Sequence, residues 1–140
     1  MTLFVLDTDH LSLFQRGYGP LLPRIQAVPA SRMAITIISV EEMLQGRLAQ
    51  VRRAGPGEER INAYTWLEKT IRFFQFFQIL SFDAEVERRY AALLARRLGV
   101  GAQDLKIAAI ALNHHAVLVT RNRRDFNQIS ELPLEDWTIA

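Results

Sequence analysis

The sequence predicts an α/β fold, a three-layer sandwich in which a mainly parallel sheet of four to five strands is flanked by helices. Three observations predict it. Short apolar runs recur along the chain and read as buried strands. Between them, apolar residues recur at helical spacing. Several of the runs stop at or near a carboxylate, and the strand ends of an open parallel sheet are where ligands bind.

The first run, Leu3-Phe4-Val5-Leu6, ends at Asp7, with a second acid at Asp9. Consecutive apolar residues suit a strand covered on both faces. Leu11 and Phe14 open a short helix, which Gly17, Gly19 and Pro20 end. Leu21, Leu22, Ile25 and Val28 form a second one, closed by Pro29. Met33 to Ile37 is the second strand, followed by Ser39-Val40-Glu41-Glu42 and a helix with Met43, Leu44, Leu48 and Val51 on one face. After the loop Ala54 to Glu59, the residues Ile61, Tyr64, Leu67 and Ile71 mark a helix from Arg60 to about Phe74. Phe76 to Phe82 is the third strand, and Phe73 and Phe74 fit either element.

Asp83 caps the next helix, with Glu85 and Glu87 in its first turn, as the helix dipole favours. Val86, Tyr90, Leu94 and Leu98 line its inner face and Gly99 stops it. Gly101 to Asp104 opens a helix so apolar, from Ile107 to Leu112, that it must be sandwiched. Ala116 to Thr120 is the fourth strand, Arg121 to Phe126 a polar turn, and Leu134 to Ile139 a short fifth strand at the sheet edge.

A chain of 140 residues, 49% of them hydrophobic, reads as one domain over 1–140 with a core that needs no staples. The absence of cysteine excludes disulfides and thiolate metal sites and suits a reducing compartment such as the cytoplasm. Asp7 and Asp9 interrupt the N-terminal apolar run too early for a signal peptide. No apolar stretch approaches the ~18 residues of a membrane span. Of the 17 basic residues 15 are Arg, whose planar fork grips phosphates, so a phosphate-bearing partner is permitted. An Arg-biased genome explains that composition equally well.

The acids can now be compared by position. Asp7 follows strand one, Glu42 lies in the first turn of the helix after strand two, Asp104 begins the apolar helix before strand four, and Asp125 lies in the turn after strand four. On a doubly wound sheet these places fall on one edge. Each also has a purely structural reading. Ser39 to Glu42 fits a capping box, Asp104 a first-turn acid, Asp125 a turn, and Asp7 a cap of the following helix. Their joint occurrence on one predicted edge points instead to a site. Carboxylates that converge repel one another unless a cation sits among them. Oxygen-only ligands suit Mg²⁺, with Mn²⁺ as a substitute. Such ions activate water for in-line attack on a phosphodiester. Arg121, Arg123 and Arg124 flank Asp125 and are placed to hold a nucleic-acid backbone, or to form a solvated turn. His10 reads as a surface or supporting histidine, and His114 and His115 as helix-end residues. No nucleophile elbow, P-loop or dinucleotide fingerprint is present.

Four blocks resemble the PIN-domain ribonucleases, specifically the VapC toxins of toxin–antitoxin pairs. They are Leu6-Asp7-Thr8-Asp9, Ser39 to Gly46, Asp104 to Ala111, and Leu118 to Phe126. The resemblance implies a PIN-like sandwich and an endoribonuclease acting on RNA. It implies Asp7, Glu42 and Asp104 as metal ligands, Glu42 rather than Glu41 because the family pattern is E-x-x-x-G, here ending at Gly46. It carries Asp125 over as a fourth acid, Asn122 as a substrate- or water-positioning neighbour, and Thr8 and Thr120 as hydroxyl supports. Asp9 stands where many relatives have Asn. The family also implies a homodimer and a cognate antitoxin, which threads a segment through an apolar groove. Exposed members of the apolar run Ile71 to Phe82 are candidates for that surface.

Two other readings compete. Asp7-Thr8-Asp9 after a strand resembles the D-x-D of haloacid-dehalogenase phosphatases, with Asp7 as nucleophile, but leaves Glu42 without a role. A non-catalytic binding module would use the acids only as caps and turns.

Overall fold

The computed structural model describes residues 1–139. Five strands, β1 (Phe4–Leu6), β2 (Met33–Thr36), β3 (Gln78–Leu80), β4 (Val117–Val119) and β5 (Leu134–Glu135), form one sheet in the order β3-β2-β1-β4-β5. Every pairing is parallel, with Val5 opposite Ala34 on one side and Leu118 on the other. The helices are α1 (Thr8–Gln15), α2 (Leu22–Gln26), α3 (Ile37–Arg53), α4 (Glu58–Phe74), α5 (Ala84–Ala95), α6 (Ala102–Asn113) and α7 (Arg123–Phe126). No helix among the described residues is long and apolar enough to cross a membrane.

The strands alternate their side chains between two cores, as a period of two requires. Val5, Ala34 and Leu118 pack with α5 and α6 in one core, which also holds Val86, Leu93, Ile107 and Ile110. Leu6, Ile35 and Val119 face the other, with Leu11, Leu21, Met43, Phe74 and Trp137. Five consecutive buried residues of α6, Ile107 to Ala111, with Leu105 before them, bear out its sandwiched reading.

The boundaries differ from the sequence expectations in physically clear ways. The strand read as Phe76 to Phe82 is shorter, because Phe76 and Phe77 turn the chain out of α4 before β3 begins. Phe73 belongs to α4 and meets Phe77 and Phe14 edge-on, while Phe76 is exposed. α3 starts at Ile37, straight out of β2, so Ile37 ends no strand. The helix after Asp83 ends at Ala95 rather than near Gly99, because Arg97 already adopts a left-handed φ of 53°. The polar turn at Arg121 to Phe126 closes into the one-turn α7.

Candidate functional site

The carboxyl ends of β1, β2 and β4 open on a hollow of about 400 Å³ lined by Asp7, Thr8, Asp9, Ser12, Glu42, Asp104, Ile107, Asn122 and Phe126. β1 delivers Asp7. Its backbone N–H continues the ladder to the Val119 carbonyl at 3.0 Å, and its Oδ1 accepts the His10 N–H at 2.8 Å. Asp7 therefore both caps α1 and lines the pocket, so the capping and the site readings coexist in one residue.

Glu42 arrives differently from the expectation. Thr36, not Ser39, caps α3, its Oγ1 accepting the Ser39 N–H at 3.1 Å. Glu42 consequently sits in the second turn and forms no capping box. Its Oε1 accepts the Thr8 hydroxyl at 2.6 Å. Because that proton goes to Glu42, the Ser39 hydroxyl 2.8 Å away donates to Thr8. A relay Ser39 to Thr8 to Glu42 thus aligns the carboxylate.

Asp104 lies in the first turn of α6, with Gly101 as the cap. Burial first, then the charges of Glu42, Asp125 and Asp7, push its carboxyl above the ordinary aspartate range. The other three acids read from sequence thus all act on Asp104. Asp125 borders the set without lining the hollow; Asn122 donates from Nδ2 to its Oδ2 at 3.1 Å and caps α7. Thr120 is buried beneath, its Oγ1 accepting the Asn122 N–H at 2.9 Å.

The three arginines part company. Arg121 clasps Asp9 through Nε at 2.6 Å and an Nη at 3.0 Å, a charge-assisted fork. Arg123 and Arg124 are exposed on α7. His10, expected at the surface or in support, is wholly buried. Its Nε2 accepts the Trp137 N–H at 3.2 Å and its Nδ1 lies 3.3 Å from Asp7 Oδ1. Sequence reasoning read Ser39 only as a helix cap and passed over Ser12, which carries no motif signal of its own.

Asp7, Asp9 and His10 each bring a ligand-type atom within 4.8 Å of the others. That trio is the weaker cation site, since Asp9 is neutralised by Arg121 and His10 lies behind Asp7. The pocket set fits a dication better. Carboxylates of Asp7, Glu42 and Asp104 face a hollow lined by no Lys or Arg, and all are hard oxygen donors of the kind Mg²⁺ or Mn²⁺ takes. A larger hollow of about 530 Å³ between α3 and α4 opposes one acid, Glu59, to one base, Arg53, and converges no such group.

Comparison with known proteins agrees with this geometry. The chain is 25% identical over 142 residues to the ribonuclease VapC1 of Haemophilus influenzae strain R2866, covering 97% of this chain and 98% of the relative. The DNA-bound VapBC structure from Salmonella typhimurium superposes with a TM-score of 0.77 at 25% identity, over 98% of this chain and 99% of that one. VapBC-1 from nontypeable Haemophilus influenzae shares the fold at a TM-score of 0.75 and 22% identity, over 99% and 100% of the two chains. The family model described as PIN domain matches residues 6–132. With that match spanning most of the chain, β2, β3 and β4 among it, and every acid of the pocket, the chain belongs to the PIN domain family.

Proposed function

We propose that the chain, as a single domain, is a metal-dependent endoribonuclease of the VapC kind, the toxin of a toxin–antitoxin pair. The observation that carries it is the pocket at the carboxyl edge of β1, β2 and β4, where burial first, and then the charges of Glu42, Asp125 and Asp7, raise the pKa of Asp104. The relatives named for ribonuclease activity and for toxin–antitoxin complexes support the same reading.

In this reading Asp7, Glu42 and Asp104 hold Mg²⁺, with Mn²⁺ as substitute. When bound, the ion supplies Lewis-acid activation of water and offsets charge on the phosphoryl oxygens. Thr8 and Ser39 keep Glu42 aligned, and Thr120 and Asn122 fix Asp125 at the pocket edge, where its carboxylate is available to take a proton from the attacking water. Arg123 and Arg124, exposed beside the pocket, attract the RNA backbone. Glu42 in the pocket counts against the phosphatase reading, which gives it no role. A cytoplasmic location, a homodimer and a cognate antitoxin complete the proposal. Ile61, Tyr64 and Phe76, exposed apolar residues, are candidates for the covered surfaces.

The test is RNA cleavage by purified protein with Mg²⁺. Asp7→Asn and Asp104→Asn should each lower the cleavage rate by at least about a thousandfold while retaining a cooperative melt, consistent with the size of charge-stabilisation effects at such sites. Full cleavage by both variants overturns the proposal.

A further inference from the structure

We infer that His10 is the positioning residue that sets the Asp7 carboxylate for cation binding, and that it does so through a proton on Nδ1. The inference rests on the reading of Asp7 as a metal ligand. Three observations lead to it. His10 is 0% exposed, so each ring nitrogen must find a protein partner. Nε2 accepts the Trp137 backbone N–H at 3.2 Å and lies 3.5 Å from Asp136 Oδ1. Nδ1 has no completed hydrogen bond, and the acceptor facing it is Asp7 Oδ1 at 3.3 Å.

The tautomer follows from these contacts. An Nε2 that accepts from Trp137 carries the lone pair, which leaves the proton on Nδ1. The Nδ1–H then sits beside Asp7 Oδ1, 3.3 Å away, with its hydrogen bond not yet completed. The same oxygen already accepts the His10 backbone N–H at 2.8 Å. One residue therefore holds one oxygen of Asp7 through its backbone and sets its ring against that same oxygen, while Oδ2 has no hydrogen-bond partner among the described residues. A small turn of the carboxylate completes the ring contact, as catalytic-site bonds do on loading. The outer partner of a ligating group fixes its orientation and strengthens it as a donor. His10 is in turn held by the Trp137 N–H, so the pocket is tied to the C-terminal segment.

Two substitutions separate the ring's two bonds. His10→Gln can keep an acceptor for the Trp137 N–H and loses the donor to Asp7. His10→Asn keeps an amide donor near the Nδ1 position and loses the acceptor. Mn²⁺ binding measured by calorimetry should weaken about tenfold or more in His10→Gln and stay within about threefold of wild type in His10→Asn. Because a buried substitution can prevent folding, the wild-type protein supplies a second measurement. Long-range ¹⁵N–¹H spectra of ¹⁵N-histidine-labelled protein should show His10 protonated at Nδ1, with that resonance moving on Mg²⁺ addition while exposed His114 and His115 stay fixed. A neutral ring with bare Nδ1, or His10→Gln binding Mn²⁺ as wild type does while Asp7→Asn does not, overturns the inference alone. Wild-type protein whose Mn²⁺ uptake is unaffected by Asp7→Asn overturns the metal reading and the inference together.

Discussion

Asp104 concentrates the electrostatics of the pocket in one side chain. Its place in the first turn of α6 favours a negative charge by about 0.3–1 kcal/mol. Burial and the neighbouring acids outweigh that, since the net direction of its pKa is upward. A folded pKa above the unfolded one means that the folded state binds the proton more tightly. Stability contributed by this acid is therefore intact below the ordinary aspartate range and is lost as pH rises toward the raised folded value. Asp104→Asn removes the penalty, so at neutral pH in chelator the variant should melt at a higher temperature than wild type, with a shallower decline across that window. Melting curves against pH decide it. Asp9 offers the contrast. Its fork with Arg121 is nearly half exposed on both sides, and Asp9→Ala should change stability by less than about 1 kcal/mol in urea titration. At this scale the sequence was readable where a residue's position follows from its element end, as for Asp7 and Asp104. His10 was not readable, because its burial depends on Trp137, 127 positions away.

Elements were legible by type and less so by boundary. α5 and α6 announced themselves through an acid cap and an apolar run, and β4 through its flanking polar residues. The join of β2 to α3 did not. Thr36 and Ser39 are both good caps, and Ile37-Ile38 continues the apolar pattern of the strand, so local propensity could not choose between them. The fold chooses Thr36, because only then do Ser39 and Glu42 face Thr8 across the pocket. Thr36→Ala should cost about 1 kcal/mol of stability through the lost cap. Ser39→Ala should leave the cap intact and instead loosen the Thr8–Glu42 pair, weakening Mn²⁺ binding more than it lowers the melting temperature. The two variants compared by calorimetry and thermal melting separate the cap from the relay.

On the scale of the whole molecule, the two cores on the faces of the sheet hold together strand ends that repel one another. Trp137 closes one of these cores. It meets Phe4 at 5.3 Å with the rings tilted by 56°, lies under Arg24, and donates from Nε1 to Glu135 at 2.9 Å. Trp137→Ala should cost about 3–5 kcal/mol, with or without cation, because it removes packing. A dication acts on the other side of the balance. On the proposed function it binds only where Asp7, Glu42 and Asp104 have been assembled, so it stabilises the folded state by mass action. At a concentration a hundredfold above its dissociation constant the gain is about 2.7 kcal/mol, a rise of roughly 8 °C for a domain of this size. In Asp104→Asn the starting temperature is higher and the rise is lost; in Trp137→Ala the starting temperature is lower and the rise persists. A thermal shift series with Mg²⁺ and Mn²⁺ over these three proteins therefore tests whether the acids are a cation site or merely the ends of well-packed elements. An equal cation response in wild type and Asp104→Asn selects the second.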